Sequence, residues 1–164
     1  MNIRFATHAD QPAIIALIDE VLQEYDDSIC LTGSESDLTD IEKNYFKQGG
    51  AFWVIESQPE SESPPVILGT HAAKPIPTQP ETCVFTRLYV ASKLRGTEWT
   101  HRLMQTNIDW ARQQSTNRIE FWSDVRFHRA HRFFAKFGFT TTGEVRTLHD
   151  SHLPYDETFF FLDL

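Results

Sequence analysis

The residues of this chain whose types and spacing can do chemistry fall in two stretches. The first, Arg87-Leu88-Tyr89-Val90-Ala91-Ser92-Lys93-Leu94-Arg95-Gly96, leads into a helical pattern. It reads as a strand that ends in a turn and opens a helix, where backbone N–H groups can hold a phosphate. The second, Ala130-His131-Arg132-Phe133-Phe134-Ala135-Lys136-Phe137-Gly138-Phe139, reads as a short helix stopped by glycine and handed to a strand. Just before it stand Asp124 and His128, each able to take a proton from an ammonium group. Asp124 reads equally as a cap of the following helix, with Arg126 as its ion-pair partner. His149-Asp150 is a further acid–base pair, although adjacent loop residues rarely orient one another. His101 and His131 read as surface helix residues. The seven His show no metal-ligand spacing such as His-x-x-x-His with a partner Glu, so no metal is expected.

Charge is distributed with a sign. The chain carries −8 overall, yet residues 87–136 hold ten Lys/Arg against four acids, or +6, leaving −14 elsewhere. A polyanion such as a nucleotide phosphate prefers the basic segment, and a cation prefers the rest; a solvated basic helix face fits the same numbers. Residues 1–62 hold thirteen acids against Arg4, Lys43 and Lys47. Nucleic acid is not expected as a partner, because no basic stripe interleaves with aromatics and the pI is near 5.3. No apolar run approaches the ~20 residues that cross a bilayer, and Met1-Asn2-Ile3-Arg4-Phe5 lacks a signal-peptide core. Cys30 and Cys83 read as two small apolar residues rather than a disulfide framework. A membrane is therefore not expected, and the cytoplasm is.

The elements that must position these residues alternate. Ile3 to Ala6 is a short strand. Asp10 caps a helix with Pro12 in its first turn and an apolar stripe of Ile14, Ile18, Val21 and Tyr25, widened by Leu17 and Leu22. Ser34 and Asp37 form a weak capping box before a second helix through Leu38, Ile41 and Tyr45, ended by Gly49-Gly50. Strands at 51–56 and 66–73 form a hairpin across a loop at 57–65. The prolines of 74–80 forbid regular pairing there. A strand at 83–91, a helix at 98–114 and a strand at 118–123 imply a parallel pair with a crossover. A helix at 130–137 and strands at 139–144 and 158–162 complete the chain, with Phe159-Phe160-Phe161 as core strand. The length and the absence of a dividing linker predict one domain over 1–164.

This β-α-α-β-β-β-α-β-α-β-β order resembles the GNAT N-acetyltransferase family over essentially the whole chain. The resemblance implies an α/β fold, a mixed central sheet of about seven strands flanked by about four helices. It implies that the fourth and fifth strands splay apart, with the pantetheine arm of acetyl-CoA between them and the pyrophosphate on the loop before the third helix. The cofactor-contacting positions it implies are Leu88, Tyr89, Val90, Arg95, Gly96, Thr97, Glu98, Trp99, Thr100, Phe127, Ala130 and Phe134. Arg95 and Gly96 match the family's phosphate loop, but Glu98 and Thr100 stand where it uses glycine. A carboxylate within ~5 Å of a phosphate costs on the order of 1–3 kcal/mol when partly screened. Ala130, Lys136, Gly138 and Phe139 match the second motif, whereas Phe134 replaces the proton-donating Tyr. Phe127 replaces an Asn that contacts the cofactor arm, and Val84 replaces a water-coupled Glu. The run Trp122-Ser123-Asp124-Val125-Arg126-Phe127 is similar to a recurring variant that places Asp124 close to the thioester.

The activity implied is transfer of acetyl from acetyl-CoA directly to a small primary amine, with Asp124 or His128 as proton acceptor. The acids Asp19, Glu20, Glu24, Asp26 and Asp27 point to a cationic acceptor. Two other classes stay open: a decayed module that binds CoA or a protein partner without turnover, and a structural dimerisation domain. The oligomeric state, homodimer or otherwise, is not legible.

Overall fold

In the computed structural model, which describes residues 1–58 and 65–164, seven strands make one mixed sheet in the order β1-β2-β3-β4-β5-β7-β6. They are β1 (Asn2–Phe5), β2 (Ala51–Glu56), β3 (Ile67–Ile76), β4 (Gln79–Val90), β5 (Arg118–Asp124), β6 (Thr140–Leu148) and β7 (Tyr155–Asp163). The helices are α1 (Gln11–Gln23), α2 (Ile41–Asn44), α3 (Glu98–Gln113) and α4 (His128–Lys136). The α/β class, the seven strands and the four helices are as expected.

The apolar periodicity explains the helices. In α1, Ile14, Leu17, Ile18, Val21 and Leu22 are all buried. In α3, Leu103, Met104, Ile108 and Ala111 are buried at the same spacing. Gly138, at φ 87°, stops α4 in the left-handed region that a side chain disfavours.

Three readings of the sequence need correction. The second helix is broken: a 3-10 turn at Ser36–Thr39, the four residues of α2, and a 3-10 turn at Phe46–Gln48. Asp40 departs from helical geometry and caps α2 by accepting from Lys43 N. The Ser34/Asp37 capping box is absent, because the Asp37 carboxylate turns to Arg87 and Tyr45. At 74–80, β3 and β4 continue as a hairpin, with Pro75 opposite Cys83 and a register shift beside it. β2 ends with Ala51 opposite Ala73, so β3 there has a neighbour on one side only, and a proline's missing donor is tolerated. Finally, Asp10 precedes α1 without bonding its amides; its carboxylate holds Thr7 N and Arg4 instead. The loop read at 57–65 lies for residues 59–64 outside the described residues.

All neighbouring strands are antiparallel except β4 and β5, which α3 connects. That parallel pair has three register partners: Thr82–Arg118, Cys83–Ile119 and Val84–Glu120. Beyond them the strands part. The buried core forms two clusters. One gathers α1, α2, β2 and most of β3 with the end of β4; the other lies across the β4–β5 join, bringing Ala73 of β3 and Cys83 and Phe85 of β4 together with β5, β7, α4 and most of α3.

Candidate active site

The parting of β4 from β5 begins where β4 bulges. Thr86 lies opposite Ala72 and Tyr89 opposite Thr70, so Arg87 and Leu88 share the place facing His71. Arg87 takes φ 56°, which is costly for a residue with a Cβ. Its surroundings hold it there. The guanidinium donates to Asp37, Glu35 and the Ser34 carbonyl, and its own carbonyl accepts from Thr70 Oγ1 at 2.8 Å. Burial alone would raise the Asp37 carboxyl, but the facing Arg87 outweighs it and the group sits below the usual carboxylate range. Tyr45, which donates to Asp37, is pushed up by its burial.

A cleft of about 320 Å³ occupies the gap. Apolar side chains reach it from α1, β4, β5 and α4: Leu22, Val84, Leu88, Phe121, Phe127 and Phe134. Polar ones come from the loop after α1, the bulge of β4, the exit of β5 and the β6–β7 pair. These are Asp27, Glu35, Asp124, Asp150 and Glu157 among the acids, with Arg87, Arg126 and Arg146. Gly33 lets the two loops close on this side. A Cβ there would meet the Asp150 carbonyl at 1.8 Å, and Ser34 N donates to that carbonyl at 2.8 Å.

Asp124 lines the cleft, buried, but its carboxylate is already engaged. It accepts from the Arg126 amide at 2.8 Å and from the Arg126 guanidinium, which also holds Asp27. The ion pair with Arg126 is therefore present, while Phe127, not Asp124, precedes α4 and the helix has no side-chain cap. His128 is exposed on the first turn of α4 and does not line the cleft. The structure instead places His131 inward, one turn on. It is half-buried, and its Nε2 lies 3.2 Å from the Oγ of Ser123, a cleft-lining residue. Burial holds its imidazole below the ordinary value. The surface reading of His131 fails because α4 lies on the β5–β7 face: the His131 ring packs 5.0 Å from that of Phe160.

Of the expected cofactor positions, Leu88, Tyr89, Phe127, Ala130 and Phe134 line the cleft. Val90 is buried where β4 ends. The others follow on the turn into α3, and several are occupied. Arg95 donates to both Glu24 carboxylate oxygens and to the Val90 carbonyl. Gly96 takes φ 78°. Thr97 caps α3 by accepting from Trp99 N, and Arg102 stacks on the Trp99 ring. Thr100 is buried and spends its hydroxyl on the Leu94 carbonyl, so it has no donor left for a phosphate. Glu98 is exposed on the first turn of α3.

Several cleft residues escaped the sequence reading. Glu157 lies opposite Asp124 in register, and its desolvation outweighs the neighbouring Arg146 to raise its carboxyl. Tyr155 donates to Asp150 at 3.1 Å, and burial raises its phenol. Both precede the strand start read at 158; alternation through Tyr155, Glu157, Phe159 and Phe161 was the signal. Of the acids grouped at 19–27, Asp27 alone reaches the cleft lining. Glu24 pairs with Arg95, and Asp19 holds the Ile29 amide. His149 is exposed, and its neighbour Asp150 takes Tyr155 as partner instead. Among the described residues no group of three or more His, Cys, Asp or Glu forms a metal cage, and no helix is long and apolar enough to cross a membrane.

Comparison with known proteins agrees with this geometry. The sequence profile described as Acetyltransferase (GNAT) family matches residues 17–139. A Mus musculus protein named N-acetyltransferase 8 is 30% identical over 113 residues, covering 66% of this chain and 47% of that protein. The chain spans about half the length of the curated relatives it matches. Among solved structures, a GNAT-family acetyltransferase from Staphylococcus aureus Mu50 superposes with a TM-score of 0.82 at 21% identity, covering 99% of this chain and 98% of that one. A Salmonella typhimurium acetyltransferase, solved with acetyl-CoA, gives 0.72 at 20% identity, covering 99% and 93%.

Proposed function

The chain belongs to the GNAT acetyltransferase family, and from that premise we propose that it moves an acetyl group from acetyl-CoA to a small, cationic primary amine by direct transfer. The observation that carries this reading is the cleft at the parted strands. Past Val84 and Glu120, β4 and β5 no longer pair with each other, so their facing backbone groups are left to a ligand. An extended, amide-bearing arm suits such an edge and the apolar side chains beside it. Leu88, Tyr89, Phe127, Ala130 and Phe134 would hold that arm, and the turn 95–100 would meet the phosphates at a helix N-terminus. When bound, acetyl-CoA supplies the thioester carbon that an amine attacks. This chain's part is positioning, which by itself can supply much of the rate.

The acceptor side supports a cation. Five cleft carboxylates face three guanidinium groups, a balance of −2. Thiol release measured across an amine panel tests the proposal: turnover is expected with cationic amines and should fall as salt rises. Preference for anionic amines with no salt effect would sink the acceptor reading.

A second reading, a module that binds CoA without turnover, is favoured by Phe134 and by the engagement of Arg95 with Glu24. Binding of acetyl-CoA by calorimetry with no thiol release from any amine would select it.

A further inference from the structure

We propose that Ser123 and His131 form a proton shuttle for acetyl transfer, Ser123 facing the reacting atoms and His131 acting through it. The inference rests on the acetyltransferase reading and supplies what that reading lacks here. Phe134 has no proton to give a leaving sulfur, and the Asp124 carboxylate is committed to Arg126.

The pair is built by the fold. On β5, Phe121 and Ser123 point to one face and Trp122 and Asp124 to the other. The Ser123 face is the one α4 covers, since Phe121 packs on Phe134 at 4.8 Å. His131 precedes Phe134 by one turn of α4, so both address the same stretch of β5. The His131 ring is fixed by Phe160 on β7 and lies 6.2 Å from Phe134. Ser123 thus lines the cleft, and its hydroxyl has an imidazole directly behind it. The groups bearing on the ring are few. Asp124 on β5 favours its charged form, while burial and His128 on α4 oppose it. The net effect favours a neutral resting imidazole, able to accept a proton.

The step balances without another reactant. The acceptor enters as the neutral amine, its ammonium proton released to solvent beforehand; its nitrogen forms its bond to the acyl carbon, and the carbon–sulfur bond breaks with its electron pair passing to sulfur. The excess proton on nitrogen goes to Ser123 Oγ as the Ser123 proton passes to His131 Nε2. The imidazolium then returns a proton through Ser123 to the sulfur. Nitrogen loses one proton, the thiolate gains one, and the pair is restored. A thiol with an ordinary pKa near 8.5 holds that proton better than an imidazole near 6.5, so the second transfer runs downhill.

The experiment compares wild type with Ser123→Ala, His131→Gln and His131→Ala. Glutamine keeps a hydrogen-bonding group toward Ser123 but cannot carry the proton, which separates basicity from orientation. Melting temperatures establish that each variant folds. The expected result is a fall in kcat of about 10²-fold in all three, with KM for acetyl-CoA little changed, and loss of the acid limb of the pH profile in His131→Gln. Phe134→Tyr should restore part of the rate in His131→Gln by offering another donor. A readout independent of turnover is NMR titration of His131 in the unliganded protein. It should titrate below about 6.5, and its midpoint should move in Ser123→Ala. Wild-type turnover with all three variants equal to it would overturn the shuttle alone. Full activity in His131→Gln with loss only in His131→Ala would reduce His131 to orientation and overturn it too. No turnover by wild type with any amine would overturn the acetyltransferase reading and the shuttle together.

Discussion

Phe134 shows how one side chain can serve packing and chemistry in opposition. It is almost wholly enclosed by Phe121, Phe139, Phe160 and His131, yet it borders the cleft. Its loss to alanine would cost about 3–5 kcal/mol, as for other buried aromatics. A hydroxyl added at its tip keeps that packing and gives the cleft an acid. Phe134→Tyr is therefore expected to raise turnover, read as steady thiol release. A large fall with the fold intact would mean that the ring packs the cofactor arm and that the position has no acid role. Arg87 is the converse case, a charged residue whose strained backbone is compensated by Asp37, Glu35 and the Ser34 carbonyl.

At the scale of elements, the first turn of α3 sets two demands against each other. Glu98 complements the positive end of the helix, and on the proposed function the cofactor's phosphates would come to the same turn. Glu98→Gly is expected to tighten acetyl-CoA binding, by up to about tenfold for ~1.4 kcal/mol, and to lower the melting temperature of the unliganded protein. Calorimetric titration decides it; equal affinities would show the side chain turned away. Farther along α3, Asn107 is fully buried with neither its amide nitrogen nor its oxygen bonded. Asn107→Leu should stabilise the protein by about 1 kcal/mol, seen as a higher urea midpoint at unchanged slope. The helices α1 and α3 and the strands around them were legible because burial imposes a period of 3.6 or 2 on their apolar residues. The second helix was not, because Asp37 and Asp40 serve Arg87 and a local cap, a tertiary demand that local pattern does not carry. The candidate cleft was legible at the end of β4, in Leu88 and Tyr89, and at the start of α4, in Phe127, Ala130 and Phe134. His131, Tyr155 and Glu157 were missed because their inward aim depends on how α4 and β7 lie on β5, which spacing within one element does not reveal.

At the scale of the molecule, charge and burial set the response to acid. Burial holds the His71 imidazole down to about 3, against about 6.5 in the unfolded chain. Between those values the unfolded state binds a proton that the folded state refuses, so stability falls as pH drops below about 6.5. Asp10, held near 2 chiefly by its hydrogen bond from Arg4, adds to the loss as pH falls from about 4 toward 2. Chemical denaturation across this range should show both, and His71→Phe should flatten the upper part. The sheet itself is joined at its middle by just three residue pairs, Thr82–Arg118, Cys83–Ile119 and Val84–Glu120, with one apolar core beside the join and a second laid across it through Cys83, Phe85, Ile119 and Phe121. Backbone pairing across it is sparse, so the join rests on side-chain packing. Without ligand the two halves are expected to exchange their amide hydrogens with distinct opening energies, as two units rather than one. A molecule spanning the gap would act as mortar, fusing them into a single cooperative block. Hydrogen exchange with and without acetyl-CoA should then show the slow amides of both halves converging on one opening energy.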